Sequence, residues 1–184
     1  METEQWVEKV RKGDTNAFEP LIHMYQQKIF SFCYYMLGQK QEAEDAVQDV
    51  FLKAYKNIKN YRYDLSFSAW LYKIAANHCK TLLKRKQRWN KLLPLINNVD
   101  SEKSAEQVYE EQTPDLSQWF MDLSPIEKQI LLLRVLEDKS FNEIGEILGK
   151  SPATMRKRFE RIKKKIGEKN PEGRKLDYEK GYSL

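Results

Sequence analysis

The sequence predicts an all-α protein made of two small helical domains joined by a flexible acidic linker. Three observations predict it. Apolar residues return every three or four positions over long stretches, no segment shows the strict alternation of a half-buried strand, and one intervening run turns acidic and loses its large apolar residues. With 184 residues, 41% hydrophobic and 32% charged, the chain can form two packed cores under a heavily solvated surface. The expected boundaries are a front domain over 1–92, a linker over 93–117, a rear domain over 118–167 and a loose tail over 168–184.

In the front domain, Phe18, Leu21, Ile22, Tyr25, Ile29, Phe32, Cys33 and Met36 form one continuous stripe along a helix, which Gly38 ends. A second stripe runs through Ala43, Ala46, Val47, Val50, Phe51 and Ala54, leaving Glu42, Glu44, Asp45, Gln48 and Asp49 on the remaining surface. Read without further information, that acidic surface is an ordinary solvated face. A polar, aromatic connection, NYRYDLS, leads to a third helix carrying Phe67, Trp70, Leu71, Ile74, Ala75 and Leu82. This helix is expected to give way to the basic run Lys84, Arg85, Lys86 and Arg88.

From Asn97 to Ser117 the composition shifts to Asp100, Glu102, Glu106, Glu110, Glu111 and Asp115 against a single Lys103, with Pro114 near the end, which marks the linker. Beyond it, Ser124-Pro125-Ile126-Glu127 supplies a capping serine, a proline at the first helical position and a glutamate that reaches back. Ser140-Phe141-Asn142-Glu143 repeats the capping box for a short helix that Gly149 can end in a left-handed conformation. Ser151-Pro152 opens a further helix with the stripe Met155, Phe159, Ile162 and Ile166, so the turn Gly149-Lys150-Ser151 makes a helix-turn-helix.

Several function classes are excluded on composition. No run of about 18 apolar residues exists and METEQWVEKVRKGD is no signal peptide, so a cytoplasmic location is expected. Cys33 and Cys79 have no ligand spacing and read as reduced, buried thiols, with no structural zinc. His23 and His78 are the only histidines, and His78 and Cys79, adjacent on a helix, diverge by about 100°. With no Gly-rich phosphate loop either, no enzyme, cofactor or metal is expected.

The net charge of +5 is mild, but basic residues crowd into two places, which suits a polyanion. On the helix after Ser151, the apolar stripe turns inward and leaves Ala153, Thr154, Arg156, Lys157, Arg158 and Arg161 outside. Arg and Lys there can reach guanine edges in a major groove, Ser151 and the helix start can hold phosphate, and Lys163, Lys164 and Lys165 add backbone contacts. The second place, Lys80, Lys84, Arg85, Lys86, Arg88 and Lys91, is interleaved with Trp70, Tyr72 and Trp89 and preceded by Tyr61, Tyr63 and Phe67. Aromatics beside cations can hold unstacked bases on a single strand. Trp70 and Phe67 lie on the apolar stripe and read as core, whereas Tyr61, Tyr63 and Asp64 are freer.

Two stretches resemble the extracytoplasmic-function sigma factors of bacterial RNA polymerase, from about Gly13 to Ile166. GDTNAFEPLIHMYQQKIFSFCYYMLGQKQEAEDAVQDVFLKAYKNI, with its "AEDAVQDVF" core, resembles sigma region two. LSPIEKQILLLRVLEDKSFNEIGEILGKSPATMRKRFERIKKKI is similar to region four. The resemblance implies that Asp45, Gln48, Asp49 and Phe51 dock on the clamp helices of core polymerase. It implies that Tyr61, Tyr63, Asp64 and Ser66, with Trp70, Lys73, Asn77, Lys80, Lys84 and Arg85, melt the −10 element and capture a flipped non-template base. The helix from Pro152 would read the −35 element, and the acidic linker would thread toward the active-site cleft and RNA exit path. An anti-sigma factor, often membrane-embedded in such families, is a further implied partner. Ala76-Asn77 and Thr81 stand where relatives often carry Arg-Asn and then Asp, and Ala153 where Gly is frequent, so detailed −10 readout does not carry over.

Two other readings compete with this one. A stand-alone helix-turn-helix regulator would bind duplex operator tightly without polymerase, with the front bundle as a sensor or dimerisation domain. A helical adaptor with basic faces for acidic proteins would show no log-linear loss of nucleic-acid affinity with salt.

Overall fold

The computed structural model describes residues 2–96 and 122–169, so most of the expected linker and the tail beyond Lys169 lie outside the described residues. Seven α-helices and no strand occur among them: α1 (Glu2–Arg11), α2 (Glu19–Leu37), α3 (Lys40–Asn57), α4 (Phe67–Ile96), α5 (Pro125–Val135), α6 (Phe141–Leu148) and α7 (Pro152–Lys169). Short 3₁₀ turns, Thr15–Phe18 and Ile58–Asn60, precede α2 and follow α3.

α2, α3 and α4 form the front bundle, and the expected stripes are its core. Leu21, Ile29, Phe32, Cys33 and Met36 of α2 are buried against Ala43, Ala46, Val50 and Ala54 of α3. The alanines on α3 let the two backbones approach closely. Phe67, Leu71, Tyr72, Ala75 and Cys79 of α4 close the bundle, with Phe32 edge-on to Tyr72 at 5.5 Å and Tyr25 tilted on Phe67 at 5.6 Å. Each fully buried large side chain contributes about 1.5–3 kcal/mol. Cys33 and Cys79 are reduced and wholly buried, with sulfurs 3.7 Å apart, and contact with Cys79 and burial push the Cys33 thiol's pKa far up.

Two elements differ from the sequence expectation. α1 is a helix, held by the buried Val7 and Val10, where no apolar stripe was read. α4 does not give way at Lys84 but continues through the whole basic run to Ile96, four positions past the expected end of the front domain. The run is rich in Lys, Arg and Gln, which are good helix formers, and Pro94 lies only in the last turn, where the missing amide hydrogen costs one bond.

In the rear module both capping boxes form. The Ser124 and Ser140 amides donate to Glu127 and Glu143 carboxylates at 2.9 Å. Gly149 takes φ 65°, ψ 43° and ends α6 as expected. α5 is buried over Gln129–Leu133 because it serves two neighbours, packing on α7 and α6 of its own module and on α2 of the bundle. α6 packs on α4. At this seam Gln129, 3% exposed, donates to the Ala76 carbonyl at 2.9 Å, and the Tyr72 hydroxyl faces the Glu137 carboxylate. A buried amide needs such a partner, since an unpaired one costs about 1–3 kcal/mol.

Candidate nucleic-acid interface

α7 is seated by Met155 and Ile162, both wholly buried, with Phe159 edge-on to Phe141 at 5.6 Å. That burial fixes its rotation and leaves Ser151, Ala153, Arg156, Lys157, Arg158 and Arg161 exposed, while Thr154 is half-buried and bonded to the Ser151 hydroxyl at 2.8 Å. The Arg156 guanidinium lies 5.6 Å over the Phe141 ring of α6 while the residue stays exposed. Farther along, Lys163 pairs with Glu160 and Lys165 with Glu127, at 3.0 and 2.7 Å, so these two cations are partly committed within the module.

On the front bundle, α4 turns Asn77, Lys80, Lys84 and Arg85 to solvent and keeps Trp70 and Lys73 half-exposed. Residues 84–91 of the extension are exposed, and Trp89 is 60% exposed beside Arg85 and Arg88. Lys86 is paired with Glu42 at 2.9 Å. Trp70 and Asn77 meet in a cleft of about 460 Å³ between α3 and α4, whose lining is completed by Lys53, Asn57, Asn60, Ile74, His78 and Thr81.

The connection before α4 is more ordered than expected. Tyr61 is 3% exposed, not free. Its hydroxyl donates to the Leu65 carbonyl at 2.6 Å, its ring touches Tyr63, Phe67 and Trp70 at 5.2, 5.8 and 5.2 Å, and burial pushes its pKa up to about 12. It is a wall under Trp70. Tyr63 stays exposed and donates to Glu8 of α1 at 2.8 Å, which holds that carboxyl below its usual range. Ser66 accepts from the Ala69 amide at 3.1 Å and so caps α4, while Asp64 is exposed.

On α3, Asp45, Gln48 and Asp49 are exposed on one face together with Leu52 and Tyr55. Phe51 is not on that face. It is buried edge-on to Phe18 at 6.4 Å and supports α3 from beneath.

Sequence reasoning missed Lys53, Asn57, Asn60, His78 and Thr81. Asp49, Lys53 and Asn57 follow one another at four-residue spacing and share a face, a signal available in the sequence, but the helix that faces them is not. His78, 8% exposed, sits between Lys53, whose ammonium donates to Nδ1, and Asp49, whose Oδ2 lies 3.3 Å from Nε2. Burial, then Lys53, lower the His78 pKa, and Asp49 opposes them. No cluster of metal-ligating side chains occurs among the described residues, and none of their helices is long and apolar enough to cross a membrane.

Comparison with known proteins returns two matches along the chain: Sigma-70 region 2 over residues 21–89 and Sigma-70, region 4 over residues 120–166, together more than half of it. The ECF RNA polymerase sigma factor SigW of Bacillus subtilis is 29% identical over 167 residues, 84% of this chain and 89% of SigW. The ECF RNA polymerase sigma-E factor of Escherichia coli K12 is 29% identical over 89% of this chain and 91% of that protein. The fold is similar to CnrH in complex with the cytosolic domain of CnrY (TM-score 0.66, 16% identity, 93% of this chain and 98% of that one). It is also similar to the sigma factor RpoE in complex with the anti-sigma factor NepR from Bartonella quintana (TM-score 0.69, 20% identity, 82% and 94%).

Proposed function

Because this chain belongs to the sigma-70 family, within its extracytoplasmic-function group, we propose that it is the promoter-recognition subunit of a bacterial RNA polymerase. It binds core enzyme, recognises the −35 and −10 elements and melts the duplex at the second. The observation that carries this reading is the presence of region 2 and region 4 in that order on one chain.

Roles follow from the exposed chemistry. Residues 1–92 bind core polymerase and melt the −10 element, 93–117 thread along the polymerase cleft, and 118–167 read the −35 element. Arg156, Lys157, Arg158 and Arg161 supply the outward cationic face that a major groove requires. Flipping a base costs a few kcal/mol of unstacking, so melting needs a receiving pocket and basic backbone contacts. The α3–α4 cleft with Trp70 and Asn77, flanked by Lys73, Lys80, Lys84 and Arg85, supports that role. Asp45, Gln48 and Asp49, with Leu52 and Tyr55, offer an acidic and apolar face for the polymerase clamp. The protein has no chemistry of its own, acts in the cytoplasm beside polymerase, and is held in check by an anti-sigma factor. The solved complex of the sigma factor RpoE with the anti-sigma factor NepR from Bartonella quintana supports this last partner.

Run-off transcription with purified bacterial core polymerase and a library of genomic fragments tests the proposal. Defined start sites dependent on the added chain are expected. Tight duplex binding by the free chain, with no polymerase-dependent start site, would instead establish a stand-alone regulator.

A further inference from the structure

The cleft between α3 and α4 mixes polar and apolar lining. Asn57, Asn60, Asn77 and Thr81 present neutral donors and acceptors, Trp70 and Ile74 present apolar faces, and Lys53 is the cation in the lining. A lysine is a flexible point charge on a four-carbon stem and loses side-chain entropy when it is fixed. Here the ammonium is tethered. For His78 to accept from Lys53 at Nδ1, its ring must be neutral with the proton on Nε2; the Asp49 carboxylate lies 3.3 Å from that nitrogen without forming a hydrogen bond to it. The imidazole is buried and cannot trade this contact for water.

We propose that His78 is a positioning residue for strand opening: its neutral imidazole holds the Lys53 ammonium in the α3–α4 cleft, where a flipped base and its phosphate are received. The proposal rests on the sigma reading and adds residues that reading did not use. Asp49 stands on the face proposed to dock polymerase, so its carboxylate lies between the docking surface and the His78 ring.

Protonation is the natural probe, because imidazolium has no lone pair at Nδ1 and repels Lys53. The charged groups facing the ring are Lys53 and Asp49 of α3. Asn77 and Thr81 of its own helix and Asn60 of the 3₁₀ turn are neutral. Strand opening should therefore weaken as the pH falls below the ordinary histidine range of about 6.5.

The experiment uses holoenzyme assembled from core polymerase and the full chain, on a supercoiled promoter recovered by the run-off selection. Permanganate reactivity of unpaired thymines reads the opened fraction. H78L and K53M should each reduce it about tenfold, one charge-assisted contact in size, while the double variant should be no worse than either single one. H78N, which keeps an acceptor near the Nδ1 position, should restore opening and remove the acid fall-off. Additive losses in the double variant, opening by H78L at the wild-type level, or an acid fall-off that persists in H78N would each overturn the proposal. If H78L fails to fold, the H78N pH profile decides the matter alone. Wild-type chain that opens no promoter sinks the sigma reading itself, an outcome distinct from wild-type opening that ignores His78.

Discussion

Gly145 lies inside α6, where alanine would ordinarily gain about 1 kcal/mol in helix propensity. At this position a Cβ would stand 2.6 Å from the Lys150 carbonyl oxygen and 3.3 Å from the Pro152 nitrogen, and both obstacles are backbone. The Lys150 amide also donates back to the Gly145 carbonyl at 2.8 Å, so the turn presses directly on the helix it leaves. The clash outweighs the propensity. G145A should lose about 1–3 kcal/mol of stability, the usual cost of overpacking, measured by urea unfolding followed by circular dichroism. This requirement was not legible in the sequence, because nothing local distinguishes a glycine excluded by a neighbour from one merely tolerated. The capping serines and Gly149 were legible, since each acts within four residues of itself.

The helices differ in how much of their role their own residues reveal. α2, α3 and the first half of α4 announce themselves through unbroken apolar stripes. α1 does not, because Val7 and Val10 stand among charges and gain their meaning only from the bundle they cap. α7 reveals both its buried and its outward face, and its prediction belongs to this scale. Replacing Arg156 or Arg158 with alanine should cost about 1–3 kcal/mol at the affected base pair and relax −35 preference, read by competition binding of holoenzyme to substituted promoters. Unchanged selectivity would reject this face. α3 reveals its acidic surface but not that Leu52 and Tyr55 share it, nor that Lys53 leaves it for the cleft, since a cross-helix partner cannot be read from one helix. Replacing Asp45 with lysine should weaken core-polymerase binding in a pull-down while the thermal unfolding of the free chain changes little, since Asp45 is exposed and Asp49, which lies against His78, is left in place.

Across the whole molecule, front and rear modules share a seam that neither module's sequence predicts alone. Glu137 is half-buried there, and burial raises its pKa above 4.5, partly offset by Tyr72, Lys28 and Lys139. The folded state thus holds this proton more tightly than the unfolded chain does. Its contribution to stability is complete below the unfolded value and is lost as the pH rises through the folded one. At neutral pH the ionised carboxylate is a cost, so E137Q should stabilise the chain at pH 7 and flatten its stability profile from there into the acid range. Calorimetry at several pH values checks both. The sealed Cys33–Cys79 pair has a practical consequence of another kind. Both of the chain's sulfhydryls are sealed in the core, so a cysteine introduced at the exposed Glu160, outside the cations assigned to the groove, would be the accessible site for a fluorophore, and its emission would follow the approach of that helix to DNA in real time.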